Sequence, residues 1–493
     1  MSMGGFITGA ALQFGMVLAV THGLRTAEAG AFLEAVALFM IMSNCGDLGA
    51  DDGLLRTMSA MRSRGDLRFA RDYAKAALGP VVAVGLLSGI ALFAFADDVA
   101  RVLFSTDQQQ SGATYLRVFA PFLAVASFGN VSLSAVRGLG SIRTYVSIQN
   151  VIVPAVRILC VVVAIAAALG THYLGLAWAI PLAIGAIVAV RALLRMTRDV
   201  PRTKGIHPGD RRGVFRDLWS FAAPRALASA FGVTITYLDV LIVGALASTR
   251  TAAIYAAISR LYVVANYGLL ALGTAVGPQF SELLTLRRID RLQSVYGVST
   301  AWAGLLCWPV YTVFLVYAPV AARIFGHDYV EGSNALAILA VGGLVNVGTG
   351  GVVLLLLMSG HSALNLVNTA VALALNIVLN LALVPRYSLN GAALAWAISI
   401  IAINVATVVE VRLLIGVRPF SRGYLGVAAA CAATFGLIGA TMRLALGATL
   451  ASLVLSLVIA APLYVAALWY SRGSLELGTA RDALARRRVG QPA

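Results

Sequence analysis

The 493-residue sequence predicts an all-α integral membrane protein of about 14 transmembrane helices, organised as two six-helix lobes followed by two further helices. Hydrophobic residues make up 60% of the chain and charged residues 12%, with a mean hydropathy of +0.87. Soluble domains run at roughly 45–50% apolar and about 25% charged. Apolar runs of the ~20 residues that cross a ~30 Å hydrocarbon core recur along the whole length. Finally, the sequence repeats itself: Leu-Ala-Trp-Ala-Ile stands at Leu176 to Ile180 and again at Leu394 to Ile398, an offset of about 220 residues.

The apolar runs set the elements in order. The first lobe holds 6–23, 28–48, 74–96, 114–136, 144–169 and 173–194; the second holds 217–246, 251–277, 295–322, 334–358, 363–384 and 391–414; 422–443 and 447–470 lie outside the repeat. The run at 6–23 lacks the basic lead and small-residue cleavage pattern of a secretory signal, so it reads as a retained helix. The resulting organisation is a lobe at 1–199, a cytoplasmic linker at 200–216, a second lobe at 217–415, two extra helices at 416–471 and a basic cytoplasmic tail at 472–493.

Further landmarks hold the repeat in one order. Arg25-Thr26-Ala27 answers to Arg250-Thr251-Ala252, Leu48-Gly49 with Gly53 to Leu272-Gly273 with Gly277, and Asp66 to Asp290. Six helices per lobe give both lobes one orientation, so the repeat is parallel, about an axis along the membrane normal. The cleft between such lobes is the expected substrate site.

Basic residues orient the helices, because short cytoplasmic loops accumulate Lys and Arg. Of the 37, 27 fall on one side of the expected topology, seven on the other and three inside spans. Both termini are therefore expected in the cytoplasm. The net charge of +16 is thereby read as topological, not as a nucleic-acid surface.

Several classes of activity are excluded. No glycine-rich phosphate loop is present, and the five histidines and four cysteines show no metal-ligand spacing. No cofactor is expected. The cysteines, single within apolar runs, read as packing residues. The longest outer loop, from about Asp97 to Gly112, reads as a solvated linker and is too short for the catalytic loop of a membrane glycan polymerase or ligase.

An ionisable residue inside a span costs roughly 2.5–3.5 kcal/mol on insertion scales, so such residues face a partner or a wet cavity. Asp239 and Arg260 fit either a salt bridge or a polar floor in the outer half of the cleft. Glu34 fits a neutral carboxyl, a lipid-interface residue or a coupling group. Arg157, preceded by Pro154, is hard to explain as packing. Arg225 follows Pro224, where a bent helix could aim a guanidinium inward; snorkelling to the interface is the alternative. Asp47, Asp51 and Asp52 read as solvated helix-end charge or as a coupling and gating group; the repeat places Ala271, Ala275 and Val276 opposite them.

Four segments carry a family resemblance: Leu218-Trp219-Ser220-Phe221 with Pro224; Asp239 to Gly244; Ile254-Tyr255 with Arg260-Leu261; and Pro278-Gln279-Phe280-Ser281-Glu282. In this order they resemble the Wzx-type polysaccharide flippase branch of the multidrug/oligosaccharidyl-lipid/polysaccharide (MOP) exporter superfamily. Asp47-Leu48-Gly49 followed by Arg56 is similar to the same branch. The resemblance implies two six-helix lobes around a V-shaped central cavity that opens alternately to each side. It implies as cargo a polyprenyl-pyrophosphate-linked oligosaccharide, a polysaccharide precursor moved from the inner to the outer leaflet, and as partners membrane lipids and the glycosyltransferases or polymerase of the same pathway. Arg137, Arg143, Arg157, Arg225 and Arg260 are then the candidates for head-group contact, and Glu34, Asp239, Asp47, Asp51 and Asp52 for coupling or gating. A cation-coupled drug or metabolite antiporter of the same fold is the other reading. The two extra C-terminal helices depart from the commoner twelve-helix plan and resemble the lipid II flippase branch.

Overall fold

A computed structural model describes residues 2–198 and 208–470. Of the expected linker at 200–216, residues 200–207 lie outside the described residues and 208–216 form the start of a helix; the expected tail at 472–493 lies outside them. Every regular element among the described residues is helical. The helices are α1 (Ser2–Gly23), α2 (Thr26–Asp47), α3 (Ala50–Ser63), α4 (Ala70–Ala94), α5 (Ala96–Leu103), α6 (Gln109–Phe119), α7 (Phe122–Gly138), α8 (Ile142–Val146), α9 (Val153–Ala166) and α10 (Thr171–Met196). They continue with α11 (Pro208–Leu246), α12 (Thr249–Thr285), α13 (Ile289–Val316), α14 (Ala318–Ala322), α15 (Ser333–Gly348), α16 (Val352–Met358), α17 (Ser362–Leu414), α18 (Arg422–Cys431), α19 (Gly439–Leu446) and α20 (Leu450–Tyr470).

Among the described residues, eleven helices are long and apolar enough to cross a membrane, and twelve with the pair α6 and α7, which bends by 47° at Ala120 and Pro121. The sequence leads to an expectation of fourteen. Two places account for the difference: α1 is not among the eleven, and α17 runs the expected spans 363–384 and 391–414 together as 53 residues. The join in α17 is a kink at Ser388, with φ 52°, three residues after Pro385. A second correction concerns the outer loop after Asp97. It forms α5, and its charges pair as Asp98 with Arg101 at 2.7 Å and Asp97 with Arg117 at 2.5 Å.

The chain divides into two compact units, Met1–Ala257 and Ile258–Ala493. The core of the first is aromatic. Phe39 lies 5.1 Å from the Trp178 ring and 5.7 Å from Phe119, and Phe32 lies 5.4 Å from Tyr115, all edge-on. In the second unit Trp308 and Tyr311 of α13 pack with Val427 and Cys431 of α18 and Ala460 and Tyr464 of α20. The two helices outside the repeat are thus built into that unit's core. Tyr317 adds a polar anchor, with its hydroxyl among Ser452, Ser456 and the Gly439 carbonyl.

Large apolar side chains remain exposed in stripes, such as Leu86, Leu87, Ile90 and Phe93 on α4 and Leu159, Val162 and Val163 on α9. Such stripes are costly in water and neutral in hydrocarbon, so these faces meet lipid. The cysteines are mixed: Cys307 and Cys431 are buried packing residues, whereas Cys45 is exposed on the last turn of α2, against the expectation of packing.

Candidate functional site

The first unit contains a long antiparallel seam between α2–α3 and α11. Glycines allow the close approach. A Cβ at Gly30 would come within 2.0 Å of the Thr249 carbonyl oxygen, one at Gly244 within 2.3 Å of Glu34 Oε2, and one at Gly53 within 3.1 Å of Leu218. Leu48 and Gly49 both take left-handed backbone, φ 52° and 68°, which breaks α2 from α3 and turns Gly49 onto Ala222 and Ala226. Polar and charged pairs interleave with these glycines. Ser229 Oγ donates to Asn44 Oδ1 at 3.2 Å. Arg225 donates from Nε at 2.9 Å and from Nη2 at 2.6 Å, both to Asp52 Oδ2. One turn further on α3, the Arg56 guanidinium lies 4.3 Å from the Phe221 ring centroid, one turn earlier on α11. Helix α11, which the repeat assigns to the second lobe, is therefore docked along the first unit.

The Arg225 and Asp52 side chains are 41% and 33% exposed. At that exposure an ion pair is worth no more than about 1 kcal/mol net, since solvent screens it. It specifies register more than it holds the seam shut; the glycine contacts do the holding. Asp47 differs from the expectation of solvated helix-end charge. It is 5% exposed, accepts from Asn130 Nδ2 at 3.3 Å through Oδ2, and has no hydrogen-bond partner at Oδ1. The break at Leu48 tucks Asp47 beneath α7 and leaves Asp51 and Asp52 half-buried on the first turn of α3.

Arg157 occupies a second place. It sits on α9 one turn after six residues of π-helix, Ser147–Ile152, that end just before Pro154. Its Nε donates to the Trp178 carbonyl at 3.1 Å and its guanidinium lies 4.3 Å from the Trp178 ring centroid. No carboxylate forms an ion pair with it among the described residues. A cation inside an apolar helix is thus held by an indole face and one carbonyl, with no counter-ion.

The other candidates separate from these two places. Glu34 is fully buried against Gly244, and neither oxygen makes a hydrogen bond of good geometry; Thr249 stands nearby. Asp239 Oδ2 accepts from the Tyr255 hydroxyl at 2.9 Å. Arg260 lies half-buried in the second unit. Arg137 and Arg143 are exposed near the turn between α7 and α8, with Arg137 5.1 Å from the Tyr145 ring.

A group that ionisable residues alone do not reveal lies in the second unit. Asn346 donates to Asn266 Oδ1 at 3.2 Å, Asn404 to Asn346 Oδ1 at 3.0 Å, and Thr349 to Asn404 Oδ1 at 2.7 Å. The readable signal is asparagine inside apolar runs, where an amide needs a partner as a charge does.

The family of polysaccharide biosynthesis proteins matches residues 1–284, more than half of the chain. The probable low-salt glycan biosynthesis flippase Agl15 of Haloferax volcanii is 25% identical over 188 residues, which span 37% of this chain and 39% of that protein. The chain thus matches well under half of that relative's length. Among solved structures, the lipid II flippase MurJ in an inward closed conformation gives a TM-score of 0.74 at 13% identity, over 96% of this chain and 98% of that one. An inward-facing MATE multidrug resistance transporter of the MOP superfamily gives 0.70 at 15% identity, over 83% and 94%. These likenesses establish the fold. The chain is a multi-pass membrane protein that belongs to the polysaccharide biosynthesis protein family.

Proposed function

We propose that the protein moves a polyprenyl-pyrophosphate-linked oligosaccharide from the cytoplasmic to the outer leaflet by alternating access, making and breaking no covalent bond in its cargo. The observation that carries this reading is Arg157: a guanidinium inside an apolar helix, held over Trp178 without an acidic partner. An unneutralised cation in a span is expensive unless an anion visits it, and a pyrophosphate is such an anion. The relative Agl15, named as a probable glycan biosynthesis flippase, supports the same class of cargo. The seam between α2–α3 and α11 is the boundary that parts when the cleft opens, with both termini in the cytoplasm of a cell membrane.

The test is depletion of the protein followed by mass spectrometry of lipid extracts. A lipid-linked oligosaccharide accumulates on the inner leaflet, and Arg157→Glu or Arg225→Glu reproduces the accumulation with the protein still in the membrane. Normal export by both variants removes them from the mechanism. One observation favours a second reading, a cation-coupled antiporter: Glu34 is a fully buried acid of the kind that couples transport to a cation. Altered drug tolerance on depletion, without lipid-linked oligosaccharide, supports that reading instead.

A further inference from the structure

We infer that Asp52 occupies Arg225 in place of the cargo's diphosphate and surrenders it when the cargo arrives, turning to Arg56 on its own helix. This rests on the proposed cargo carrying a diphosphate.

Three features of the seam converge on this exchange. Arg225 directs both of its donated hydrogen bonds to a single oxygen, Asp52 Oδ2. A guanidinium has five N–H donors, and Arg225 has no hydrogen-bond acceptor other than Asp52 Oδ2 among the described residues. The pair is also reachable, at 41% and 33% side-chain exposure, although it crosses a helix contact tight enough to need Gly49 and Gly53. Finally, Asp52 has another cation within reach. Arg56 stands at i+4 on α3, the spacing at which helix side chains meet, and its guanidinium already lies over Phe221 on the facing helix.

A diphosphate brings more acceptor oxygens and more charge to Arg225 than one carboxylate does, and matches the guanidinium fork. Its arrival leaves Asp52 beside Arg56 and severs the charged bond between α3 and α11. Pro224, immediately before Arg225, removes one backbone hydrogen bond of α11 and gives that helix a place to bend. Loading thereby removes the charged pair that sets the register of the seam, while its glycine contacts remain. The carboxylate also reduces affinity in the resting state, because Arg225 must be freed before it can bind.

Full-length protein in lipid nanodiscs, titrated calorimetrically with farnesyl diphosphate, tests the exchange, with thermal unfolding recorded on each sample. Asp52→Asn, and Asp52→Ser as a second uncharged variant, bind about three- to tenfold more tightly than the wild type, while Asp52→Glu binds like it. Arg56→Gln binds about threefold more weakly, and Arg225→Gln about tenfold or more. Uncharged variants at 52 that bind no more tightly than the wild type, with Arg225→Gln weakened, overturn the exchange and leave the cargo reading standing. Absence of binding in both the wild type and Asp52→Asn overturns the diphosphate reading and the exchange with it.

Discussion

The two Leu-Ala-Trp-Ala-Ile segments hold their tryptophans in unlike company. Trp178 is buried, with Phe39 against its edge and the Arg157 guanidinium 4.3 Å from its ring centroid. Trp396 lies 4.4 Å from the Tyr262 ring, and Tyr262 in turn receives a hydrogen bond from Asn346 of the amide network. The same anchor therefore serves a charged neighbourhood in the first unit and a neutral one in the second. Aligned positions also differ in charge: Asp47 stands against Ala271 and Glu34 against Ser259, and conversely Arg260 against Ala35. The two segments share the tryptophan, and the polar residues around it differ. A carrier whose cargo has one charged end and one neutral, hydroxyl-rich end is suited by that asymmetry.

The largest effects expected from breaking this comparison are at the tryptophans themselves. Trp178→Ala and Trp396→Ala should each cost about 3–5 kcal/mol, since each empties a packed aromatic site. Thermal unfolding in detergent checks this, and a loss at only one of them means that the scaffold is not shared. Export should separate them: Trp178→Phe lowers it severalfold through Arg157, while Trp396→Phe leaves it near normal. Gly49→Ala tests the seam. A methyl group there meets the Ala222 carbonyl oxygen, 2.3 Å from the Cβ position, in backbone with φ 68°. A loss of about 1–3 kcal/mol is expected, while Gly273→Ala, its repeat partner, has Leu354 Cδ2 at 3.8 Å and should be tolerated.

Smaller effects sharpen the neutral side. Asn404→Ala removes acceptor and donor from Thr349 and Asn346, and interhelical hydrogen bonds of this kind in membranes are worth about 0.6–1.7 kcal/mol. Unfolding midpoints measure it, and a larger loss would make the amide network a stability element comparable to the aromatic core. The smallest effect lies in the loop between α3 and α4, whose Asp66 answers to Asp290 in the repeat. Hydrogen bonds from Arg68 hold the exposed Asp66 carboxyl down at about 2, from an ordinary 3.8. The folded value is the lower one, so the pair's contribution is present above pH 3.8 and lost as pH falls toward 2. Arg68→Ala should return the carboxyl toward 3.8 in a carbon-detected titration, with no change in export near neutral pH.

Much of this protein was legible one residue at a time. Lipid demands about 20 apolar residues per crossing and internal satisfaction of every backbone group, so long apolar runs specify helices and their rough bounds. Glu34, Arg157 and Arg225 were legible as exceptions because charge within such a run is costly. Their partners were not. Asp52 is 173 residues from Arg225, and no local pattern links them. The burial of Asp47 depends on left-handed backbone at Leu48, a residue that ordinarily avoids it. Asparagines 346 and 404 interrupt apolar runs in the sequence, and only the fold pairs them.

The sequence by itself determined the solvent, the helices, the duplication and the positions where a charge would need an explanation, because each follows from transfer energies and spacing within one segment. Only the tertiary structure decided which groups answer those charges: Asp52 for Arg225, the Trp178 indole for Arg157, Tyr255 for Asp239. The first of those pairings depends on how closely α2–α3 and α11 can approach. That distance is set by glycines such as Gly30, Gly49, Gly53 and Gly244, each of which acts only against the residue that the fold brings to face it.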